Sequence, residues 1–174
     1  QLIGHVLPKL VIDYGTDTVL TGMADGFDTD WGEVAKFLYR LRLHALIPHP
    51  EQYLDKRWSK TDRDRWAELH AAADVTTMVT KLPPAGQGEI NGAMRRRNWA
   101  LVAQGSVLVA CWKQGTDIGG TFRTISRAVE KRRPVIWMDP AARTVKLPHW
   151  AAWGRILSTS SPNTTRSRTT VPAS

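Results

Sequence analysis

The sequence has a single cysteine, no long apolar run and no acidic residue after Asp139. Cys111 cannot form an intramolecular disulfide, and its apolar neighbours favour a buried, unreactive thiol over a reactive one. No apolar stretch approaches the roughly 20 residues that a membrane helix needs. The first residues show no secretory leader. We therefore expect a cytoplasmic protein without membrane contact.

The histidines and the charged residues exclude two further classes of site. The five histidines form no ligand-spaced pair with one another or with Cys111, so the sequence predicts no metal site. We also expect no required cofactor. The net charge is +8, and five basic residues lie after Asp139, where no acidic residue balances them. This distribution predicts weak, non-specific attraction of the carboxyl-terminal tail to nucleic acid rather than a dedicated groove.

The length and the order of apolar segments predict one α/β domain. A chain of 174 residues is long enough for one core. We assign residues 1–157 to the domain and the Ser/Thr-rich, basic residues 158–174 to a disordered tail. Apolar segments predict strands at 17–22, 44–48, 74–79, 106–112 and 134–139, and amphipathic segments predict helices at 2–15, 29–43, 61–73, 91–105 and 120–132.

This alternation is typical of a Rossmann-like fold, a mostly parallel sheet with helices on both faces. In such folds ligands bind beyond the carboxyl ends of the strands. Two glycine-rich segments follow predicted strands there, TGMADGFDTDWGEVA at 21–35 and GGT at 119–121. Each is either a phosphate-binding turn or a tight turn that needs glycine for conformational reasons. We expect Asp28 to be the N-cap of the helix after the first segment.

The segment MRRRN at 94–98 is predicted at the start of a helix. At least two of its three arginines are expected to be solvated. One directed inward would donate two hydrogen bonds to a phosphate or a carboxylate.

The order of these motifs resembles the YpsA-like branch of the SLOG superfamily, which also contains the Lonely guy phosphoribohydrolases and the DNA-processing protein DprA. The likeness extends from residue 17 to about residue 140 and also includes the segments IPHPEQYLDKRW, AAADV and RRPVIWMDP. It implies a Rossmann-like domain that binds a nucleotide or a nucleotide-derived ligand such as ADP-ribose or an NAD relative. The residues that match ligand-binding positions are Gly22, Ala24, Gly26, Asp28, Trp58, Arg97, Asn98, Gly119, Gly120 and Thr121.

Some positions stay open or depart from the family's pattern. Gln52 and Trp58 match a Gln and a Trp that follow the family's Ile-Pro strand end, and Trp58 either stacks on a base or packs under a loop. The chain begins within the first helix, so the usual first strand is expected to be absent. Thr124 stands where the Lonely guy enzymes have a catalytic glutamate.

Binding of the ligand, by sensing or sequestering it, is therefore favoured over turnover, and enzymatic activity stays open. For N-glycosidic hydrolysis, Glu33 is the first candidate carboxylate, with Arg97 near the phosphate. The alternative is a DprA-like single-stranded DNA-binding protein, which the net charge, the arginine run and eight tryptophans favour. The resemblance also makes a homodimer plausible.

Overall fold

A computed structural model of the chain describes residues 2–113 and 118–146. Helices and strands alternate through these ranges. The helices are α1 (Leu2–Tyr14), α2 (Phe27–Glu33), α3 (Lys60–Ala72), α4 (Gln87–Gln104) and α5 (Gly120–Glu130). The strands are β1 (Thr18–Thr21), β2 (Arg42–Ile47), β3 (Val75–Met78), β4 (Leu108–Cys111), β5 (Val135–Asp139) and β6 (Thr144–Lys146). A π-helical turn (Val34–Leu38) extends α2, and a 3-10 turn (Gln52–Leu54) precedes α3.

The strands confirm the predicted fold class, α/β with mostly parallel pairing. In the described residues they form two three-stranded sheets rather than one continuous sheet. β1, β2 and β3 pair in that order and in parallel. β4 pairs in parallel with β5, and β5 pairs antiparallel with β6. Among the described residues no strand joins β1 to β4. The first element of the described residues is α1.

The helices cover both faces of the strands, as β5 demonstrates. Successive side chains of a strand point to opposite faces. Ile136 and Met138 pack in one core cluster with Leu7 of α1. Val135 and Trp137 pack in a second cluster that contains buried residues of α4 and α5. Therefore α1 lies on one face of β5, and α4 and α5 lie on the other.

Several boundaries differ from the sequence predictions for local reasons. The helix predicted at 29–43 ends earlier, because Arg40 adopts a positive φ of 55° and the backbone from Arg42 onward pairs with β1. The helix predicted at 61–73 begins one residue earlier, because Ser59 is the N-cap of α3 in a reciprocal capping box with Asp62. The short strand β6 was not predicted. The predicted tail at 158–174 lies outside the described residues.

Two expectations from composition, that no helix spans a membrane and that Cys111 is a buried, unreactive thiol, concern residues that the structure describes. None of the helices in residues 2–113 and 118–146 is both long enough and apolar enough to span a bilayer. Cys111 is half-buried at the end of β4, and this burial raises the pKa of its thiol. The cysteine is therefore mostly protonated at neutral pH, as predicted for an unreactive thiol.

Removing the side chain of Leu7 is expected to destabilise the whole fold. Leu7 is fully buried in the core cluster that contains residues of both sheets. The substitution Leu7→Ala should lower the free energy of unfolding by about 3 kcal/mol, measured by urea denaturation. Ile12→Ala is the matched control, because Ile12 lies on the same helix with 80% of its surface exposed. A loss equal to that of the control would contradict the bridging role of α1.

Candidate functional site

A cavity of about 790 Å³ lies between β1 and β4 and continues past their carboxyl ends. We call the part between Thr18–Thr21 and Leu108–Cys111 the gap. We call the part past the strand ends the mouth. The residues that line the mouth include these eight: Gly22, Ala24, Asp28, Arg97, Asn98, Gly120, Thr121 and Thr124. Seven of them were predicted as ligand-binding residues from the sequence, so the fold brings most of the predicted set together.

Arg97 is the buried cation of the mouth. Its side chain is 7% exposed, and Nη1 donates to Oδ2 of Asp28 at 2.7 Å. Its Nε is buried and has no hydrogen-bond partner among the described residues. Arg95 and Arg96 are exposed, as predicted for two of the three arginines. The run lies in the middle of α4 rather than at its start.

Gly22 is required by the position of Arg97. A Cβ atom added to Gly22 would lie 1.3 Å from Nη1 of Arg97 and 2.7 Å from Oδ2 of Asp28. No side chain fits there unless the guanidinium moves. The sequence predicted a glycine that lets a ligand approach the backbone, and in the structure a side chain of the protein makes that approach.

Asp28 has a different local role from the predicted one. The N-cap of α2 is Gly26, at a positive φ of 83°, and Asp28 lies within the first turn. Both hydrogen bonds to its carboxylate end on Oδ2, one from Arg97 and one from the Ala24 N–H at 3.4 Å. The Thr21 hydroxyl donates to the Asp28 carbonyl at 2.7 Å. These contacts fix the loop between β1 and α2.

Gln52 supports the same loop from inside the protein. Its side chain is 1% exposed, and Nε2 donates to the carbonyl oxygens of Gly22 at 3.2 Å and Met23 at 3.0 Å. Met23 adopts a positive φ of 56°, which is uncommon for a residue with a side chain. Gln52 therefore helps to hold an uncommon backbone conformation next to the mouth.

The second glycine segment begins α5. Gly119 is its N-cap at a φ of 109°, and no side-chain capping hydrogen bond is found among the residues that the structure describes. The first N–H groups of a helix have no acceptor within the helix. Gly120 and Thr121 therefore present backbone donors at the mouth. The Thr124 hydroxyl donates to the Gly120 carbonyl at 2.8 Å and is engaged by the helix itself.

The remaining predicted residues lie elsewhere. Glu33 accepts from Arg65 through both carboxylate oxygens, at 2.9 and 2.6 Å, and is not among the residues that line the cavity. Trp58 packs against the first core cluster and is not among the residues that line the cavity. Gly26 and Gly119 shape their turns at positive φ but do not line the cavity.

Sequence reasoning missed two aromatic residues of the cavity wall. Phe27 and Trp31 line the cavity, and their rings stack with centroids 5.9 Å apart. Their spacing of four residues at the start of a helix was the available signal.

No group of three or more histidine, cysteine or acidic side chains in the described ranges is arranged to hold a metal ion. The sequence matches no protein-family model, and it matches no curated protein. The resemblance to the SLOG superfamily therefore rests on the motifs and stays a prediction.

The substitution Gly22→Ala tests the arrangement of Gly22, Arg97 and Asp28. The added methyl group should displace the guanidinium and lower the free energy of unfolding by about 2 kcal/mol, measured by urea denaturation. Gly4→Ala is the matched control, because nothing lies within 4 Å of a Cβ at that helical position. The control should be neutral or slightly stabilising.

A double-mutant cycle assigns the cause of this loss. In an Arg97→Ala background the methyl group at position 22 meets no guanidinium, so Gly22→Ala should cost much less there. We expect a coupling between the two positions of about 1 to 2 kcal/mol. Strictly additive effects would show that Arg97 is not what excludes a side chain at position 22.

Proposed function

We propose that the mouth binds a nucleotide-type ligand through its phosphate and that the protein senses or sequesters this ligand. The observation that carries the proposal is the buried guanidinium of Arg97 at the wall of a large cavity, opposite the uncapped start of α5. Arginine donates in a fixed planar geometry that suits phosphate oxygens. The cavity volume of about 790 Å³ is within the usual range for small-molecule sites.

Each side of the mouth supplies a different chemistry for such a ligand. The backbone N–H groups at the start of α5 and the guanidinium of Arg97, a residue of the cavity lining, are donors that suit a phosphate. Oδ1 of Asp28 suits a ribose hydroxyl, because the described hydrogen bonds of this carboxylate end on Oδ2. Phe27 offers an aromatic ring to a base. ADP-ribose and NAD relatives combine these three chemical groups.

The side chains near the mouth favour binding of the ligand over its turnover. Thr124 occupies the position that the resemblance assigns to a catalytic glutamate, and its hydroxyl is engaged by the Gly120 carbonyl. The Asp28 carboxylate is ion-paired with Arg97 through Oδ2 at 2.7 Å. Glu33 is paired with Arg65 outside the cavity lining. These pairings leave none of the three positions as an evident general acid or base for glycosidic cleavage.

Ligand titrations with AMP and ADP-ribose test the proposal, with adenosine as the probe without phosphate. Gly120→Val should abolish binding, because its side chain enters the mouth at the surface. Thr121→Val should cost on the order of 1 kcal/mol. Arg97→Ala should weaken AMP about 10- to 100-fold, which corresponds to a lost charge-assisted hydrogen bond, and should affect adenosine much less.

Arg96→Ala is the matched control, because Arg96 is the exposed neighbour of Arg97 on α4. It should leave all affinities unchanged. The proposal fails if AMP binds Gly120→Val as tightly as it binds the unmodified protein. It also fails if Arg97→Ala weakens AMP and adenosine equally.

The alternative, a single-stranded DNA-binding protein, is not favoured by the described tryptophans. Four of them, Trp31, Trp66, Trp112 and Trp137, are buried, and Trp58 packs against the core. Trp99 is 47% exposed, and the Arg127 guanidinium lies 5.5 Å from its ring centre. Core packing thus accounts for most of the aromatic residues that a nucleic-acid groove would need.

Ending the chain after Leu157 distinguishes the two functions. The deletion removes Arg166 and Arg168 and leaves the mouth intact. We expect it to remove most of the residual affinity for oligonucleotides while nucleotide binding is unchanged. Fluorescence anisotropy with a labelled oligonucleotide at two salt concentrations measures this effect. Retained oligonucleotide affinity would instead support a true groove in the domain.

A further inference from the structure

Basic residues are concentrated in the part of the chain that contains α4 and α5. From residue 1 to residue 86 the sequence has ten basic and twelve acidic residues, whereas from residue 87 to residue 133 it has nine basic and three acidic residues. The carboxyl-terminal tail is therefore not the only part that makes the chain basic. A local excess of one sign of charge attracts partners of the opposite sign and speeds their encounter.

Four side chains of α4 and α5 form one outer surface, which we call the arginine face: Arg95, Trp99, Arg123 and Arg127. The two helices pack against each other, since Val102 of α4 shares a core cluster with Ile125 of α5. The Arg127 guanidinium lies over the Trp99 ring, 5.5 Å from its centre. Arg95 lies four residues before Trp99 on α4, and such pairs lie on the same side of a helix. Arg123 has the same spacing from Arg127 on α5.

Two cations of the arginine face have charges that no described acidic side chain balances. Arg95 and Arg123 are exposed. Neither forms a salt bridge with a residue in the ranges 2–113 and 118–146. Arg127 differs, because its Nη1 pairs with Glu130 at 2.9 Å. Arg127 is thus held beside the Trp99 ring, while the other two guanidinium groups are available to a partner.

Trp99 gives the arginine face an apolar centre. The residue is 47% exposed. Tryptophan and arginine dominate the binding energy of protein–protein interfaces, in which lysine is depleted. All three cations of the face are arginines. Single-stranded nucleic acid instead binds in basic grooves, whereas this face is the outer side of two helices, and none of its residues lines the large cavity.

We propose that the arginine face docks an acidic segment of a partner protein. Carboxylates of the segment bind Arg95 and Arg123, and an apolar side chain of the same segment packs on Trp99. A guanidinium binds a carboxylate through two parallel hydrogen bonds, a geometry that an ammonium group does not offer. The proposal does not depend on nucleotide binding at the mouth.

Fluorescence anisotropy with labelled peptides tests the proposal on the full chain. The acidic peptide has ten glutamates and two central leucines, and the comparison peptide has glutamine in place of each glutamate. A labelled oligonucleotide of twelve thymidines reports on nucleic acid. The titrations are made at about 0.15 M salt, because exposed charges more than about 8 Å apart are largely screened there. The acidic peptide should bind at least tenfold more tightly than the comparison peptide.

Reversing the two available charges should weaken the acidic peptide. The double variant Arg95→Glu with Arg123→Glu should lose about tenfold or more in affinity, because two attractive contacts become repulsive. The matched control is Lys9→Glu with Arg143→Glu, which changes the net charge by the same amount at two exposed positions outside α4 and α5. The control should change the affinity by less than about twofold.

Removing the ring of Trp99 tests the apolar centre. Trp99→Ala should weaken the acidic peptide about tenfold, as expected for a tryptophan at the centre of an interface. Phe37→Ala is the matched control, because Phe37 is 48% exposed on the π-helical turn. Thermal unfolding confirms that each variant is folded. AMP titration of the same variants keeps this result separate from the mouth, since Arg97 and Gly120 are unchanged.

Four outcomes would overturn the proposal. The first is equal affinity for the two peptides, and the second is an equal loss in the arginine double variant and its control. The third is tighter binding of the oligonucleotide than of the acidic peptide with the same loss in the double variant, since this would assign the face to nucleic acid. The fourth is self-association that the double variant removes, measured by sedimentation, since this would assign the face to a second copy.

Discussion

The described fold depends on side-chain packing between two sheets whose edge strands, β1 and β4, are not joined by hydrogen bonds. β1 and β4 face each other without pairing in the described residues, so no ladder joins the two sheets. The cluster around Leu7 of α1 joins them instead, since it contains Val19 and Leu43 from one sheet and Ile136 and Met138 from the other. Burial of apolar side chains is non-directional, so it can hold the two sheets together without hydrogen bonds between their edge strands. The cavity lies between these two unpaired edges.

The elements that the sequence predicts best are those specified by local signals. The runs at 106–112 and 134–139 contain β4 and β5, because short β-branched segments between turn residues favour strands in most surroundings. Gly15 ends α1 at a φ of 62°, as its position in the pattern predicted. The error at 29–43 has a tertiary cause. Arg42 and Leu43 continue the helical pattern of charge and apolar residues, but their backbone pairs with Thr18 and Val19 of β1.

The sequence predicts most of the residues of the candidate site, but it does not predict which of them contact one another. Glycine turns after strands identified Gly22 and Gly120, and the arginine run identified Arg97. The pairing of Arg97 with Asp28 joins residues 69 positions apart, and no local pattern specifies it. Glu33 does not line the cavity, because it pairs with Arg65 instead. This partner lies 32 positions further along the chain, so no local pattern predicts the pair either. Long-range charge pairing decides which acidic side chains face a cavity, and that pairing depends on the fold.

The mouth is lined by residues from both halves of the broken sheet. Gly22 and Asp28 follow β1, Gly120 and Thr121 follow β4, and Arg97 lies between them on α4. Arg97 already links α4 to the first half through a charged hydrogen bond. A phosphate bound to both Arg97 and the start of α5 would extend that link to the second half. Under the proposed function, ligand binding at this position would favour the state in which both halves are docked, and it would stabilise the folded protein in proportion to ligand saturation.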